Sequence, residues 1–235
     1  MRKIVLTGAS GGLGLVIAEN LLNEGYFVHL IGNKNTSKLQ VLHSKFPSTS
    51  KVYTIDFLQK SNFSELVNEI GEVDGLVHAL GVSSAGMSWK ITSDEWNRVL
   101  HLNLTVPFQL TQAFTPQLRA NKFGRIIFFS SVVAQKGFVG TSAYSSSKSA
   151  LIGLTRTLAV ELINSGVTVN CIAPGYMDKG MIDEVTDEYL KEILELIPSK
   201  KLGDAINIAH TVSYLLNEKA NYITGQVINV NGGMN

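Results

Sequence analysis

Lys3-Ile4-Val5-Leu6-Thr7-Gly8-Ala9-Ser10-Gly11-Gly12-Leu13-Gly14 sets a short apolar run against a glycine-rich turn, and an apolar-periodic stretch, Leu13 to Glu24, follows at once. The order predicts strand, tight turn and helix. Glycines let a backbone bend sharply and come close to a phosphate, while a helix amino terminus offers free N–H groups and the positive end of its dipole. Gly8, Ser10, Gly12, Leu13 and Gly14 are therefore candidate ligands of a phosphate-bearing molecule.

Outward from that turn the same alternation repeats. Short apolar runs at Phe27 to Ile31, Val52 to Ile55, Gly75 to Ala79, Arg125 to Phe129, Thr168 to Ile172 and Gln226 to Val230 bring the predicted strands to seven. They lack polar alternation, as strands buried on both faces of a parallel sheet do. Helical periodicity fills stretches between them, including Asn62 to Ile70, Asp94 to Leu118 and Tyr144 to Asn164. The expectation is an α/β chain forming a Rossmann-type doubly wound parallel sheet with helices on both faces, one domain over 1–235. Its ligands should gather at the carboxyl ends of the strands. The polar, helical stretch Met177 to Pro198 is a candidate lid.

The whole chain narrows the function classes. Its 235 residues are 45% apolar, and 20 basic against 19 acidic side chains leave a net charge of +1, which lacks the basic footprint of a nucleic-acid binder. The single cysteine, Cys171, excludes a disulfide framework, fits a reducing compartment and lies in an apolar run that predicts a buried thiol. No apolar stretch is long enough to suggest a membrane span, and the expected location is cytoplasmic. His29, His43, His101 and His210 have no metal-ligand spacing, so no metal site is expected.

The second predicted strand ends on Gly32-Asn33-Lys34-Asn35, with no acidic residue to accept from an adenosine ribose. Asn33 and Lys34 stand in its place, and a lysine offsets a 2′-phosphate that a carboxylate repels, which favours NADP(H) and leaves NAD(H) open. After the third strand, Asp56 offers an acceptor for an adenine amino group, or a helix cap, and Phe57 offers a ring to pack near the base.

Tyr144 and Lys148, four apart at the start of a predicted helix, share one face. An ammonium beside a phenol favours the phenolate, so Tyr144 is expected to have a lowered pKa and to act as acid and base. Ser131, ending the strand before it, can donate to a carbonyl oxygen on which negative charge develops. A hydrolase built on Ser131 lacks both the nucleophile elbow and a histidine partner.

Thr7 to Gly14, Asp56, Asn103, Ser131, Tyr144, Lys148 and Pro174-Gly175 occur in the order and spacing of the short-chain dehydrogenase/reductase family, which the chain resembles over nearly its whole length. Within that family, Gly124-Arg125-Ile126-Ile127, Ser130 to Ala134, Leu151 to Arg156, Val169 to Gly175 and Tyr222 to Met234 look most like the 3-oxoacyl-(acyl-carrier-protein) reductases. The resemblance implies hydride transfer with Tyr144 as the proton-transferring group and Ser131 orienting the substrate oxygen. It implies that Lys148 holds the nicotinamide ribose and lowers the tyrosine pKa, that Asn103 holds a water linked to Lys148, and that Gly81, Pro174 and Gly175 border the cofactor. It further implies a homotetramer built on the long helices and the C-terminal strand, and a small-molecule or carrier-protein-linked acyl substrate.

Several positions depart from the family pattern. His78-Ala79-Leu80-Gly81 replaces the usual Asn-Asn-Ala-Gly, which predicts a bracing role for His78; Gly11 replaces an arginine, and Lys179 stands where a nicotinamide-contacting threonine is usual. Lys122 and Arg125 are candidates for a basic rim facing an acidic carrier, although Asn164-Ser165 supplies no cation there. Trp89 and Trp96 are expected to pack, with Trp89 in a loop that can also border the substrate. Two alternatives stay open: a dehydrogenase of a small alcohol or sugar, and a cofactor-binding regulator without turnover.

Overall fold

In the computed structural model, which describes residues 1–33, 36–59 and 62–234, seven parallel strands form one sheet in the order β3-β2-β1-β4-β5-β6-β7. They are β1 (Lys3–Thr7), β2 (Phe27–Gly32), β3 (Ser50–Thr54), β4 (Gly75–His78), β5 (Gly124–Phe129), β6 (Val167–Pro174) and β7 (Val227–Val230). The order reverses between β1 and β4, which opens the crevice where doubly wound sheets take their ligands.

Each strand serves two cores, which explains the missing polar alternation. Ile126 and Phe128 of β5 point to one face and Ile127 and Phe129 to the other; all four are buried. The first face is covered by α3 (Ser64–Ile70), α5 (Val106–Ala120) and α6 (Ser142–Leu162), and the second by α1 (Gly12–Asn23), α2 (Ser37–Lys45) and α8 (Ala205–Leu216). Cys171 is fully buried in the first core, and burial pushes its thiol up to about 11, so it is an inert packing group.

The run read as one helix from Asp94 to Leu118 is divided. It comprises α4 (Ser93–Leu100), a π-turn at His101–Thr105, and α5. Pro107 has no N–H to give the Asn103 carbonyl four residues back, so the regular ladder cannot pass this point. The segment after β6 forms a short turn at Met181–Glu184 and then α7 (Asp187–Leu196). Ile193 and Ile197 are buried with Val132 and Met234, which seats α7 over the turn that follows β5. Among the described residues no helix is long and apolar enough to cross a membrane, and no group of His, Cys, Asp or Glu could hold a metal ion.

Candidate active site

The glycine turn at the end of β1 is closed by contacts that only glycine permits. A Cβ on Gly8, whose φ is +70°, would lie 2.6 Å from the Leu80 nitrogen, and one on Gly14 would lie 2.1 Å from the Gly8 oxygen. Helix α1 begins with Gly11 as its cap, with no side-chain cap bond and no acidic residue in its first turn. Its first N–H groups and positive dipole end therefore have no carboxylate competing for them. Just ahead of the turn, the hydroxyl of Thr7 is buried without a partner among the described residues. Glycine backbone, uncapped helix start and orphaned hydroxyl fit the phosphates of a dinucleotide. A Cβ on Gly32 would lie 3.2 Å from the Ser10 hydroxyl oxygen, which places Ser10 beside the end of β2. Leu13 lies in the first turn of α1 and Asn33 is exposed beyond β2. Lys34, the sequence's candidate for a 2′-phosphate, lies outside the described residues.

At the adenine end the two candidates differ, Asp56 keeping Oδ2 as an acceptor and Phe57 being held in the core. Asp56 Oδ1 accepts from the Leu58 N–H at 3.1 Å, so the carboxylate forms a local turn and caps no helix. Phe57 is buried in the core with its ring edge-on to Phe63 at 5.9 Å, and so cannot pack against a base; its carbonyl accepts from His101.

Four residues meet around the ends of β4 and β5. Asn103, buried in the π-turn, accepts from the Val82 N–H at 2.8 Å and donates to the Val82 carbonyl at 2.9 Å and the Ser147 hydroxyl at 3.0 Å. The loop after β4 is thus braced by Asn103. His78 braces the strand differently: its Nε2 pairs with the Thr111 hydroxyl at 3.0 Å and its ring stacks on Phe128 at 5.2 Å. Burial holds His78 down to about 3, so it stays neutral in a structural role.

Lys148 is buried, and its ammonium donates to the Phe129 carbonyl at 2.8 Å. Ser130 Oγ donates to the Lys148 carbonyl at 2.9 Å, and Ser145 and Ser149 donate to the carbonyls of Val133 and Ala134, which ties α6 to the turn after Ser131. A Cβ on Gly81 would lie 3.1 Å from Lys148 Nζ, so glycine keeps that approach open. Ser131 is buried and accepts from the Val133 N–H at 3.3 Å, and its hydroxyl lies near enough to the Tyr144 phenol to hold the phenol's pKa down.

The expectation of a lowered Tyr144 pKa is not met by the polypeptide itself. Desolvation pushes the phenol up, and only the Ser131 hydroxyl opposes it. Lys148 Nζ stands 5.8 Å from the ring centroid, with its hydrogen bond directed to Phe129. Burial lowers Lys148 itself to about 8. The same desolvation that raises the phenol weakens the cation expected to lower it.

Pro174 ends β6, and Gly175 donates to the Val230 carbonyl at 2.9 Å; a Cβ there would meet the Asn231 backbone at 2.8 Å. Beside the first turn of α6 lies an open cleft of about 450 Å³, lined by Met87, Trp89, Phe138, Val139, Thr141 and neighbouring serines and glycines, with no charged side chain among its lining. Of the two expectations for Trp89, packing is not seen; it is 77% exposed and lines this cleft, as a loop residue bordering a substrate would. The expected basic rim also fails. Arg125 is buried, donating to the carbonyls of Gly124, Gly166 and Asn217, and Lys122 precedes β5, roughly 20 Å along the strand from Ser131.

Residues 8–235 match the family described as enoyl-(acyl carrier protein) reductase. A 3-oxoacyl-(acyl-carrier-protein) reductase of Staphylococcus epidermidis is 37% identical, with 99% of this chain and 98% of that protein covered. The chain belongs to the short-chain dehydrogenase/reductase family. Nodulation protein G of a Rhizobium species is 35% identical over 99% of this chain and 96% of its own length. Two solved structures superpose with TM-scores of 0.92. One is a 3-oxoacyl-(acyl-carrier protein) reductase from Brucella melitensis, 27% identical, covering 99% of this chain and 91% of that one. The other is a putative gluconate dehydrogenase from Agrobacterium tumefaciens, 26% identical, covering 99% and 95%. As a family member the chain is an oxidoreductase of the nicotinamide-cofactor type.

Proposed function

We propose that this chain reduces a 3-oxoacyl thioester, linked to an acyl-carrier protein or to coenzyme A, to the 3-hydroxyacyl form with NADPH. The observation that carries the reading is the meeting of Ser131, Tyr144 and buried Lys148 at the strand ends, beside a cleft without charge. When bound, the nicotinamide supplies the hydride. Ser131 and Tyr144 converge on the oxygen of the carbonyl, Ser131 donating a hydrogen bond and Tyr144 transferring the proton as negative charge develops. Desolvation keeps Tyr144 protonated at neutral pH, the form a proton donor needs in the reducing direction.

Lys148 has donors beyond the one directed at Phe129, and these suit the nicotinamide ribose hydroxyls. Asn103 fixes the loop bearing Gly81, and its carbonyl, denied the Pro107 N–H, suits a water leading to Lys148. Gly8, Ser10, Gly12, Leu13 and Gly14 hold the pyrophosphate, Asn33 and Lys34 the 2′-phosphate end, the backbone at Asp56 and Phe57 the adenine, and Pro174 and Gly175 the nicotinamide. Phe108 on α5 and Val160 on α6, 40% and 76% exposed, support a homotetramer built on those helices.

Of the small alcohol or sugar alternative, the cleft disfavours only a sugar acid such as gluconate, whose carboxylate would find no cation in its lining. A substrate panel tests this. Oxidation of NADPH is expected with 3-oxoacyl thioesters, with little turnover of gluconate or small alcohols. Preference for a sugar acid or free alcohol would overturn the substrate, and cofactor binding without any turnover would make the chain a regulator.

A further inference from the structure

Lys179 lies on the segment that crosses the glycine turn. A Cβ on Gly12 would lie 2.4 Å from the Gly180 nitrogen, 2.6 Å from its Cα and 3.0 Å from the Lys179 carbonyl carbon, so this backbone rests directly on the start of α1. The segment is anchored on both sides of Lys179. Asp178 N–H donates to the Gly203 carbonyl at 2.8 Å, and Gly203 N–H donates to that of Tyr176 at 2.9 Å. Asp178 Oδ1 accepts from the Ala205 N–H at 2.9 Å, and Asp183 Oδ2 accepts from the Gly180 N–H at 3.2 Å. Both nearby carboxylates are thus engaged by backbone amides. Lys179 itself is exposed, and no ion pair holds it among the described residues.

We propose that Lys179 is the countercharge to the cofactor's pyrophosphate, facing it from the side opposite the Gly12 and Leu13 amides. The inference rests on the reading that this turn binds a nicotinamide dinucleotide. The helix start supplies N–H donors from one side only, and an anion seated there is left facing the 179–180 segment. A threonine at that position gives a neutral hydrogen bond, whereas a lysine adds a full charge that attracts phosphate over several ångströms. Lys179 is then distinct in task from Lys34, which the sequence assigns to a 2′-phosphate found only in NADP(H).

That distinction makes the test. Dissociation constants of NADPH and NADH, measured by tryptophan fluorescence or calorimetry over a salt series, are compared for wild type, Lys179→Ala, Lys179→Arg and Lys179→Thr. Lys179→Ala is expected to weaken both dinucleotides by the same factor, about tenfold at low salt, and to flatten the salt dependence. Lys179→Arg should bind nearly as wild type and Lys179→Thr should resemble Lys179→Ala. Equal affinities for wild type and Lys179→Ala would overturn the proposal. So would a loss confined to NADPH, which moves the charge to the 2′-phosphate, or full recovery in Lys179→Thr, which replaces charge by loop packing. Wild type that binds neither dinucleotide would instead defeat the underlying cofactor reading.

Discussion

Arg125 and Lys148 are both buried cations, held at opposite ends of strand β5. At the amino end, the Arg125 guanidinium donates to three backbone carbonyls and lies 4.2 Å from the centroid of the Phe123 ring. Arg2 covers the other contact of that ring at 3.6 Å and pairs with Asp74 and Glu218. At the carboxyl end, Lys148 has one acceptor among the described residues, the Phe129 carbonyl. A cleft of nearly the same size accompanies each end, about 440 Å³ and about 450 Å³, so cleft size does not separate them. Surroundings do. Arg125 gives three hydrogen bonds to backbone carbonyls and lays its plane on the Phe123 ring, whereas Lys148 gives one and keeps its other donors beside space that Gly81 holds open, which equips it for a ligand.

The largest effect that can break this comparison is expected from Lys148→Met. Turnover should fall by about 10²- to 10⁴-fold, the range of an acid–base assembly losing a member. Stability should move the other way. The folded pKa of about 8 lies below the ordinary value of 10.5, so the unfolded chain binds the proton more readily between those limits. Wild-type stability therefore rises with pH across about 8 to 10.5, and below that window the fold carries a buried charge costing on the order of 3 kcal/mol. Lys148→Met should melt several degrees higher at pH 7, with the difference closing as pH climbs through the window. Thermal melts at several pH values check both signs.

Arg125→Met sharpens the contrast from the other end. Three carbonyls lose their donors, and the variant should be destabilised by about 2–4 kcal/mol while its turnover at 25 °C stays within about twofold of wild type. A variant as stable as wild type would remove the distinction between the two ends. A smaller effect is expected from Gly81→Ala, whose new methyl would stand 3.1 Å from Lys148 Nζ. Displacing the ammonium should lower kcat about tenfold with a melting temperature close to wild type, a shift that steady-state kinetics resolves.

Much of this arrangement was legible in the sequence, because periodicity and glycine spacing act locally. All seven strands fall within a few residues of their predicted positions, and the turn from Thr7 to Gly14 leads into α1 as read. Helices α2 and α8 were not singled out. Only Leu39 and Leu42 of the short α2 are buried, which leaves it little periodic signal, whereas α8 does carry one: Ala205, Ile208, Ala209, Val212, Leu215 and Leu216 are buried at helical spacing. The π-turn at Asn103 was hidden too, although Pro107 was its visible signal. What the sequence could not carry is direction. Arg125 and Phe57 sit where the alternation puts them, but only packing reveals that each is turned to a neighbour in the protein. The sign of the Tyr144 shift failed for the same reason, since spacing places a cation near a phenol without showing how deeply both are desolvated.

Tyr144→Phe tests the central claim most directly, with NADPH binding and NADPH-dependent turnover of a 3-oxoacyl thioester measured on the same preparation. The expected result is an NADPH dissociation constant within about twofold of wild type and a kcat reduced at least about 10³-fold, because the phenol donates the proton and the remaining site still holds the cofactor. Turnover by Tyr144→Phe equal to that of wild type would contradict the assignment of the proton donor.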